Sequence, residues 1–349
     1  MKEDIRELYF DELSERLVSM GEPKFRAAQI YDWLHKKKAS DFSEMTNLSK
    51  GLREKLSESF YITGLRPVSV LCSKLDGTRK YLFSLGDGNV IEAVLMKYHF
   101  GNSVCISTQA GCRMGCRFCA STLDGLKRNL SAAEMLSEVY EIERDTGERV
   151  SHVVLMGSGE PLDNYDETVR FIRMISDGRG LGISQRNITL STCGIVPKIY
   201  ELAELRLQIT LALSLHAATQ EKRLATMPIA GAYELSSVLS ACRYYTETTG
   251  RRLSLEYAMA KGVNDTDEDA ELLSRIAGRL HAHVNLIPIN PVKECGFSEP
   301  QKAGIEHFKK RLEGLGTNVT IRREMGRDID SACGQLRRRY MIDAGLCTD

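Results

Sequence analysis

The sequence has no excess of charge, because 47 lysines and arginines are balanced by 47 aspartates and glutamates. This balance argues against a protein that coats nucleic acid indiscriminately, since such binding rests on neutralising many phosphates. The sequence also lacks any run close to the roughly 20 apolar residues of a membrane-spanning helix. Its start, MKEDIRELYF, is charged and has no signal-peptide core, so we expect a cytoplasmic protein with reduced cysteines and no membrane association.

The composition, with 42% hydrophobic and 27% charged residues, is that of a globular protein, and 349 residues suffice for about two domains. Apolar residues recur at helical spacing near the start, as at Ile5, Leu13 and Leu17, and short strand patterns follow over residues 68–96. No internal repeat or low-complexity linker is visible. We predict a helical accessory domain over residues 1–65, a β-extension over 66–97, a core domain over 98–330, and a C-terminal loop and tail over 331–349.

Strand and helix patterns alternate through the core domain. Such alternation predicts βα units and a parallel sheet of the α/β class, and it fits a partial (β/α)6 TIM-type barrel with ligands at the C-terminal ends of the strands. The predicted strands are Val104–Ser107, His152–Met156, Ile188–Ser191, Ile209–Leu215, Ser254–Met259, Val284–Pro288 and Val319–Arg322, and the predicted helices are Glu134–Arg144, Glu167–Ser176, Pro197–Leu205, Leu235–Thr248, Asp267–Leu280 and Gly304–Leu315.

Three closely spaced thiols, Cys112, Cys116 and Cys119, form a C-x3-C-x2-C motif. A cubane iron–sulfur cluster takes four ligands, so three cysteines leave one iron open to a ligand that is not protein. Zinc is the first alternative, but His99 is the only histidine between Tyr98 and residue 149, and it lies upstream. A disulfide is the second alternative. The motif therefore favours a cluster with one open iron.

Small and polar residues follow several predicted strands. The turn Gly157–Pro161 contains two glycines, which let the backbone approach a ligand closely, and the Glu160 carboxylate beside Gly159, which can accept hydrogen bonds from an ammonium group. Each of the other strand-end residues is, by itself, as well explained as a helix cap or a satisfied polar group. Together they indicate a binding site at one end of the barrel: Ser191, Ser214, Leu215, His216 and Asn290.

Three further residues are candidates for chemistry. Glu92 interrupts an apolar strand pattern; it lies either on the wet face or in the interior, where burial would make it a usable proton acceptor. Cys333 lies in a polar, glycine-flanked loop, where an accessible thiol near cations would be a nucleophile. Cys105 ends a predicted strand outside the three-cysteine spacing, and it is the candidate partner of Cys333.

The cysteine loop resembles the signature of the radical S-adenosylmethionine (SAM) superfamily. Over residues 92–336 the sequence is also similar, motif by motif, to the RlmN family of RNA adenine-C2 methyltransferases. The runs that carry this resemblance are GCRMGCRFCAST, MGSGEPLDN, LSLHA, NLIPIN and IRREMGRDIDSACGQL. The resemblance implies a radical SAM barrel, a [4Fe-4S] cluster and SAM as cofactors.

The resemblance also implies roles and partners. It assigns methyl carriage to Cys333, resolution through a disulfide to Cys105, and proton acceptance to Glu92. It implies methylation of adenosine 2503 in 23S rRNA and adenosine 37 in tRNAs, with an electron donor such as flavodoxin or ferredoxin, and we expect a monomer. Cluster ligation falls to Cys112, Cys116 and Cys119, and SAM binding to Gly159, Glu160, Ser191, Ser214, Leu215, His216 and Asn290.

Two alternatives remain. The Cfr-type sister enzymes methylate C8 of the same adenosine with the same cysteines, although Pro161, where those enzymes have alanine, favours the C2 reaction. A non-catalytic RNA-binding or electron-transfer protein with a structural cluster or zinc has no use for Cys333, Cys105 and the Gly-Glu turn together. The sequence gives no role for Cys72, Cys193, Cys242, Cys295 and Cys347.

Overall fold

A computed structural model describes residues 2–290, 296–329 and 334–343. The predicted methyl carrier Cys333 therefore lies outside the described residues, as do Cys295 and Cys347. No helix in the described ranges has the length and apolar character that a membrane span requires.

The N-terminal region forms a helical unit with its own core. Its helices are α1 (Phe10–Ser19), α2 (Phe25–His35) and α3 (Lys50–Ser59), and the short strands β1 (Glu3–Asp4) and β2 (Phe60–Tyr61) pair in parallel at its edge. Helix α3 begins where the Ser49 hydroxyl accepts a hydrogen bond from the backbone of Leu52. Apolar residues from Ile5 to Phe60 pack into a cluster separate from the main core. This separation supports a domain boundary at residue 65, which stays a prediction.

Ten strands of the described chain form one sheet, in the order β14-β13-β12-β11-β10-β9-β6-β5-β4-β3. Strands β6 and β9 to β14 run parallel. The predicted β-extension adds three antiparallel strands beyond β6: β5 pairs with β6, β4 with β5, and β3 with β4. The strands are β3 (Arg66–Cys72), β4 (Arg79–Ser84), β5 (Val90–Tyr98), β6 (Gly101–Ile106), β9 (Val150–Leu155), β10 (Ile188–Thr192), β11 (Thr210–Ser214), β12 (Leu253–Met259), β13 (His283–Pro288) and β14 (Val319–Ile321). A separate hairpin consists of β7 (Gln109–Gly111) and β8 (Leu126–Asn129).

Helices connect each parallel strand to the next. Helix α4 begins with a capping box between Ser131 and Glu134 and ends at Gly147, whose φ of +67° suits glycine. The buried faces of these helices and the sheet share one large apolar cluster. The helices are α4 (Ala132–Thr146), α5 (Tyr165–Ser176), α6 (Val196–Glu204), α7 (Gln220–Thr226), α8 (Leu235–Thr249), α9 (Asp267–Leu280), α10 (Lys302–Gly314) and, after β14, α11 (Gln335–Asp343).

This topology contains the six predicted strand-to-strand connections, so the C-terminal ends of the parallel strands lie at one end of the sheet. The prediction missed α7 and the β7–β8 hairpin. Both elements lie beside the strand ends, where they help to build the site.

Candidate active site

A cavity of about 260 Å³ opens at the C-terminal ends of the strands. Residues from the cysteine loop, the Gly-Glu turn and the later strand ends line it together. The structure thus brings into one cavity most of the residues predicted for the cluster and SAM: Cys112, Cys116, Cys119, Gly159, Glu160, Ser191, Ser214, His216 and Asn290.

The three cysteines lie in a compact loop between β7 and β8. The backbone N–H of Cys112 donates to the carbonyl of Gly125, and that of Cys119 donates to the carbonyl of Cys116. The Thr122 hydroxyl also donates to the carbonyls of Cys116 and Cys119. Gly111 must be glycine, since its φ is +83° and a Cβ would lie 2.0 Å from the Gly125 oxygen. These contacts hold all three thiols against the cavity.

Burial, together with the neighbouring Cys119 and Glu160, raises the pKa of the Cys112 thiol to about 12. The pKa of Cys116 shifts in the same direction, from burial and then from Cys119 and Cys112. Thiols in such a group become thiolate ligands only beside compensating positive charge, which bound iron supplies. The donor set therefore fits a cationic metal group.

Within the described ranges, no three His, Cys, Asp or Glu side chains are grouped as ligands of a single metal ion. A single tetrahedral zinc would need its ligands around one point.

The turn after β9 approaches the backbone after β6 closely. At Gly157 a Cβ would lie 2.6 Å from the carbonyl oxygen of Ile106, and at Gly159, where φ is +107°, it would lie 2.6 Å from the Gln109 side chain. The Gln109 side-chain oxygen accepts from the backbone N–H of Glu160 at 2.9 Å. Both glycines are therefore required by this packing, which presents Glu160 to the cavity.

The Glu160 carboxylate is buried and fixed. One oxygen accepts from the backbone N–H of Leu162 at 3.0 Å, and the other accepts from the backbone N–H of Cys193 at 2.8 Å. Burial raises the pKa of Glu160 despite these hydrogen bonds. Each carboxylate oxygen has a second lone pair, so this group can accept hydrogen bonds from a ligand ammonium group.

His216 occupies a left-handed conformation, with φ of +56°, just after β11. Its Nδ1 accepts from the backbone N–H of Ala258 at 3.0 Å, so the neutral ring carries its proton on Nε2. Burial, and then the Arg223 cation, lower the pKa of His216 to about 3. The ring of Phe118 meets it edge-on at 4.9 Å. His216 is therefore a neutral side chain in the cavity wall.

Ser191 and Ser214 lie on neighbouring strands, with their hydroxyl oxygens 3.2 Å apart in the cavity wall. Asn290 lines the cavity just beyond β13. Leu215 differs, because its side chain is fully buried in the main core and does not line the cavity. Its backbone N–H donates to the carbonyl of Glu256.

Cys105 lies beside the cavity rather than in its lining. It is buried on β6 in an apolar cluster with Val94, Met96 and Met325, and the cavity-lining Met156 packs against this cluster. The predicted Cys105–Cys333 disulfide is not borne out by the described residues, because Cys333 lies outside them.

Glu92 is buried on β5, which decides against the wet face. One carboxylate oxygen accepts from the backbone N–H of Gly334 at 2.6 Å and lies 3.3 Å from Lys80 Nζ. The other oxygen accepts from the backbone N–H of Arg337 at 2.6 Å. Glu92 therefore anchors the start of α11, directly after Cys333 in the sequence.

The sequence analysis missed two residues here. Glu256 lines the cavity from β12 and accepts hydrogen bonds from Ser254 and Asn285. The sequence does contain a signal for Glu256, because a carboxylate interrupts an apolar strand pattern there, as it does at Glu92. Arg223 lies behind the wall on α7, and its position depends on a helix that the pattern did not predict.

Comparisons with known proteins place this site in a family. The model described as "Ribosomal RNA large subunit methyltransferase N-terminal domain" matches residues 4–62, and "Radical SAM superfamily" matches residues 106–273. The "probable dual-specificity RNA methyltransferase RlmN" of Lachnospira eligens is 58% identical over 340 residues, which cover 97% of each chain. The chain belongs to the RlmN family. The corresponding protein of Lachnoclostridium phytofermentans is 59% identical over 339 residues, covering 97% of this chain and 95% of that one.

A solved structure agrees with this membership. The radical SAM methyltransferase from Sphaerobacter thermophilus superposes with a TM-score of 0.91 at 41% identity, covering 95% of this chain and 98% of that one. The predicted RlmN-type resemblance, radical SAM fold and methyltransferase class are confirmed. As a radical SAM protein of the RlmN family, the chain uses a [4Fe-4S] cluster and SAM. The roles of individual residues stay predictions.

Proposed function

We propose that this protein methylates C2 of adenosine 2503 in 23S rRNA and of adenosine 37 in tRNAs, acting through a methylated Cys333. The observation that carries the proposal is the convergence of three cysteines, the Gly-Glu turn and His216 on one cavity, in a chain 58% identical to a relative named as a dual-specificity RNA methyltransferase. Unpaired adenosines suit such a site, because a single base can be splayed into a pocket.

The cavity residues supply two binding subsites. We assign the cluster to Cys112, Cys116 and Cys119, and the SAM amino group to Glu160, whose fixed carboxylate accepts hydrogen bonds. Ser191, Ser214, His216 and Asn290 provide polar groups on the same wall, and Leu215 contributes through its backbone. When bound, the cluster and SAM supply a 5′-deoxyadenosyl radical, which is needed because adenine C2 is too electron-poor to attack a methyl group as a nucleophile.

The remaining steps belong to protein side chains. Cys333 accepts a methyl group on its sulfur and carries that carbon to C2, which ties the RNA covalently to the protein. The Cys105 thiolate then attacks the Cys333 sulfur, so that a disulfide forms as the carbon–sulfur bond to the product breaks. The electron pair of that bond stays with the product carbon, which takes up a proton to become a methyl group. The position of Cys105 beside cavity-lining Met156 supports this assignment.

Glu92 is assigned to accept the C2 proton. Its two oxygens accept backbone hydrogen bonds from Gly334 and Arg337, and the oxygen that accepts from Arg337 has a second lone pair that can take up a proton. The same bonds place the carboxylate next to the residue that follows Cys333, which supports a role close to the methyl carrier.

The partners follow from the same site. Cys116 and Cys119 are partly exposed, which supports electron delivery by a docked carrier such as flavodoxin or ferredoxin.

The direct test incubates anaerobically reconstituted full-length protein with methyl-labelled SAM, a reductant, and either 23S rRNA or tRNA. We expect label in 2-methyladenosine from both RNAs and none from Cys333→Ala, with product identity read by mass spectrometry. Finding only 8-methyladenosine would replace the proposal with the Cfr-type reaction. Zinc without iron and sulfide in the wild-type protein would end it in favour of a structural metal site.

A further inference from the structure

Arg223 is a fully buried arginine on α7, directly behind the cavity wall. Its Nη2 donates to the backbone carbonyl of Cys193 at 2.6 Å and to that of Ser214 at 3.3 Å. Its Nε and Nη1 are buried and have no hydrogen-bond partner within the described chain. All of the described hydrogen bonds of Arg223 therefore come from one of its three guanidinium nitrogens.

The charge of Arg223 also lacks an acidic partner. No carboxylate of the described residues lies within ion-pair distance of it, although a guanidinium remains protonated in proteins. Buried cations are normally paired, because removing a charge from water without compensation costs several kcal/mol, to order of magnitude. The charge interactions that raise its pKa, against the lowering by burial, come from the sulfurs of Cys193, Cys116 and Cys242.

A purely structural role explains only part of this arrangement. The hydrogen bonds to Cys193 and Ser214 join the ends of neighbouring strands β10 and β11, and a neutral amide could make them. Such a role needs neither the charge nor the two other nitrogens. Cys193, whose carbonyl accepts from Arg223, lines the cavity and packs in one cluster with Cys112 and Cys116, two proposed cluster ligands.

We propose that Arg223 is a positioning residue that holds a fixed positive charge behind the cluster cysteines and thereby makes the cluster easier to reduce. Gaining one electron makes a thiolate-ligated cluster more negative, and a cation held in a low-dielectric wall stabilises that added charge. No bond forms or breaks in this step, and the electron comes from the external reductant. The inference rests on the cluster assignment in the proposed function.

Two substitutions separate the charge from the hydrogen bonds. Arg223→Gln keeps an N–H donor for the two carbonyls and removes the charge, whereas Arg223→Lys keeps the charge. Arg6→Gln is the matched control, because Arg6 is also fully buried but bonds within the N-terminal unit and to Ser137. The measurement is a dithionite redox titration of the reconstituted full chain, without SAM, followed by electron paramagnetic resonance.

We expect Arg223→Gln to lower the ratio of reduced to oxidised cluster about tenfold at a fixed potential, which equals about 59 mV for one electron. Arg223→Lys and Arg6→Gln are expected to titrate close to wild type. Equal midpoints in wild type, Gln and Lys variants overturn the inference. If Arg223→Gln holds no cluster, the iron and sulfide retained per folded chain are compared between the two variants. Much higher retention in Arg223→Lys than in Arg223→Gln supports the charge role, and equal loss in both variants overturns it. Failure of the wild type itself to bind a cluster refutes the proposed function instead.

Discussion

Glu92→Gln changes one atom of a carboxylate that joins strand β5 to the start of helix α11. In the wild type, two backbone N–H groups of that helix start, from Gly334 and Arg337, donate to Glu92, and Lys80 lies 3.3 Å away. Glutamine keeps one acceptor, turns an N–H donor toward another N–H, and removes the negative charge that Lys80 faces. The substitution therefore weakens the anchor without changing its volume.

The size of the effect follows from the burial of this group. Removing one partner of a buried ion pair costs about 3–5 kcal/mol. If that loss falls on α11, the helix opens roughly 100-fold more often or more, since 1.4 kcal/mol corresponds to about tenfold. Hydrogen exchange of the amides in Gln335–Asp343 measures this opening directly, with α9 as an internal reference.

Glu143→Gln is the matched control, because Glu143 is also buried, accepts from the backbone N–H of Val150 at 2.6 Å and pairs with Lys38 at 2.8 Å. We expect it to destabilise the region around α4 without loosening α11. Unchanged exchange in α11 of Glu92→Gln would refute the anchor. Mass spectrometry of the same variant tests the base role, since loss of proton acceptance predicts a methylated Cys333 and an accumulated covalent RNA adduct.

Three other predictions concern the site and its surroundings. Cys112→Ala is expected to lose most cluster iron and sulfide after reconstitution, whereas Cys242→Ala, which removes a thiol buried in the main core, retains them; equal retention in the two variants would contradict the cluster assignment. Gly159→Ala must place a Cβ 2.6 Å from Gln109 at φ of +107°, so we expect about 1–3 kcal/mol of strain and at least about tenfold weaker SAM binding by equilibrium dialysis. Gly178→Ala has no neighbour within 4 Å and should bind SAM like wild type. Burial and then Arg6 lower the pKa of His35 from 6.5 to about 3. Between about pH 3 and pH 6.5 this neutral histidine therefore takes up a proton when the protein unfolds. Stability is therefore full above about pH 6.5 and is lost as the pH falls toward 3, and the denaturation midpoint of His35→Gln should fall less steeply than that of wild type; identical slopes would speak against it.

The sequence predicted the sheet well because its strands and helices have strong, distinct periodicities. The alternation from residue 98 onward corresponds to the parallel strands, and the cysteine and Gly-Glu motifs lie where strand ends converge. Helix α7 has only seven residues, Gln220–Thr226, so no periodic signal marks it. Arg223 was missed with it, since its burial and its hydrogen bonds to Cys193 and Ser214 come from tertiary packing that no local pattern encodes.

Glu92 shows a different limit of sequence reasoning. The apolar pattern around Glu92 is compatible with either a solvent-exposed or a buried carboxylate, because alternation does not show which face of the strand another element covers. The answer depends on α11, whose residues lie more than 240 positions later and cap the same carboxylate. Leu215 is the opposite case, since a motif residue turned out to point its side chain into the core.

Both ends of the segment that carries the proposed methyl donor thiol are tethered. On one side, Asp328 accepts from the Ser73 hydroxyl and the Lys74 backbone, and on the other, Gly334 donates to Glu92. Whatever path residues 330–333 take, the five links from Ile329 to Gly334 span at most about 19 Å. If Cys333 carries the methyl group as proposed, the target base has to come to the mouth of the barrel. The choice of substrate would then depend on how readily an RNA releases that base from its stack.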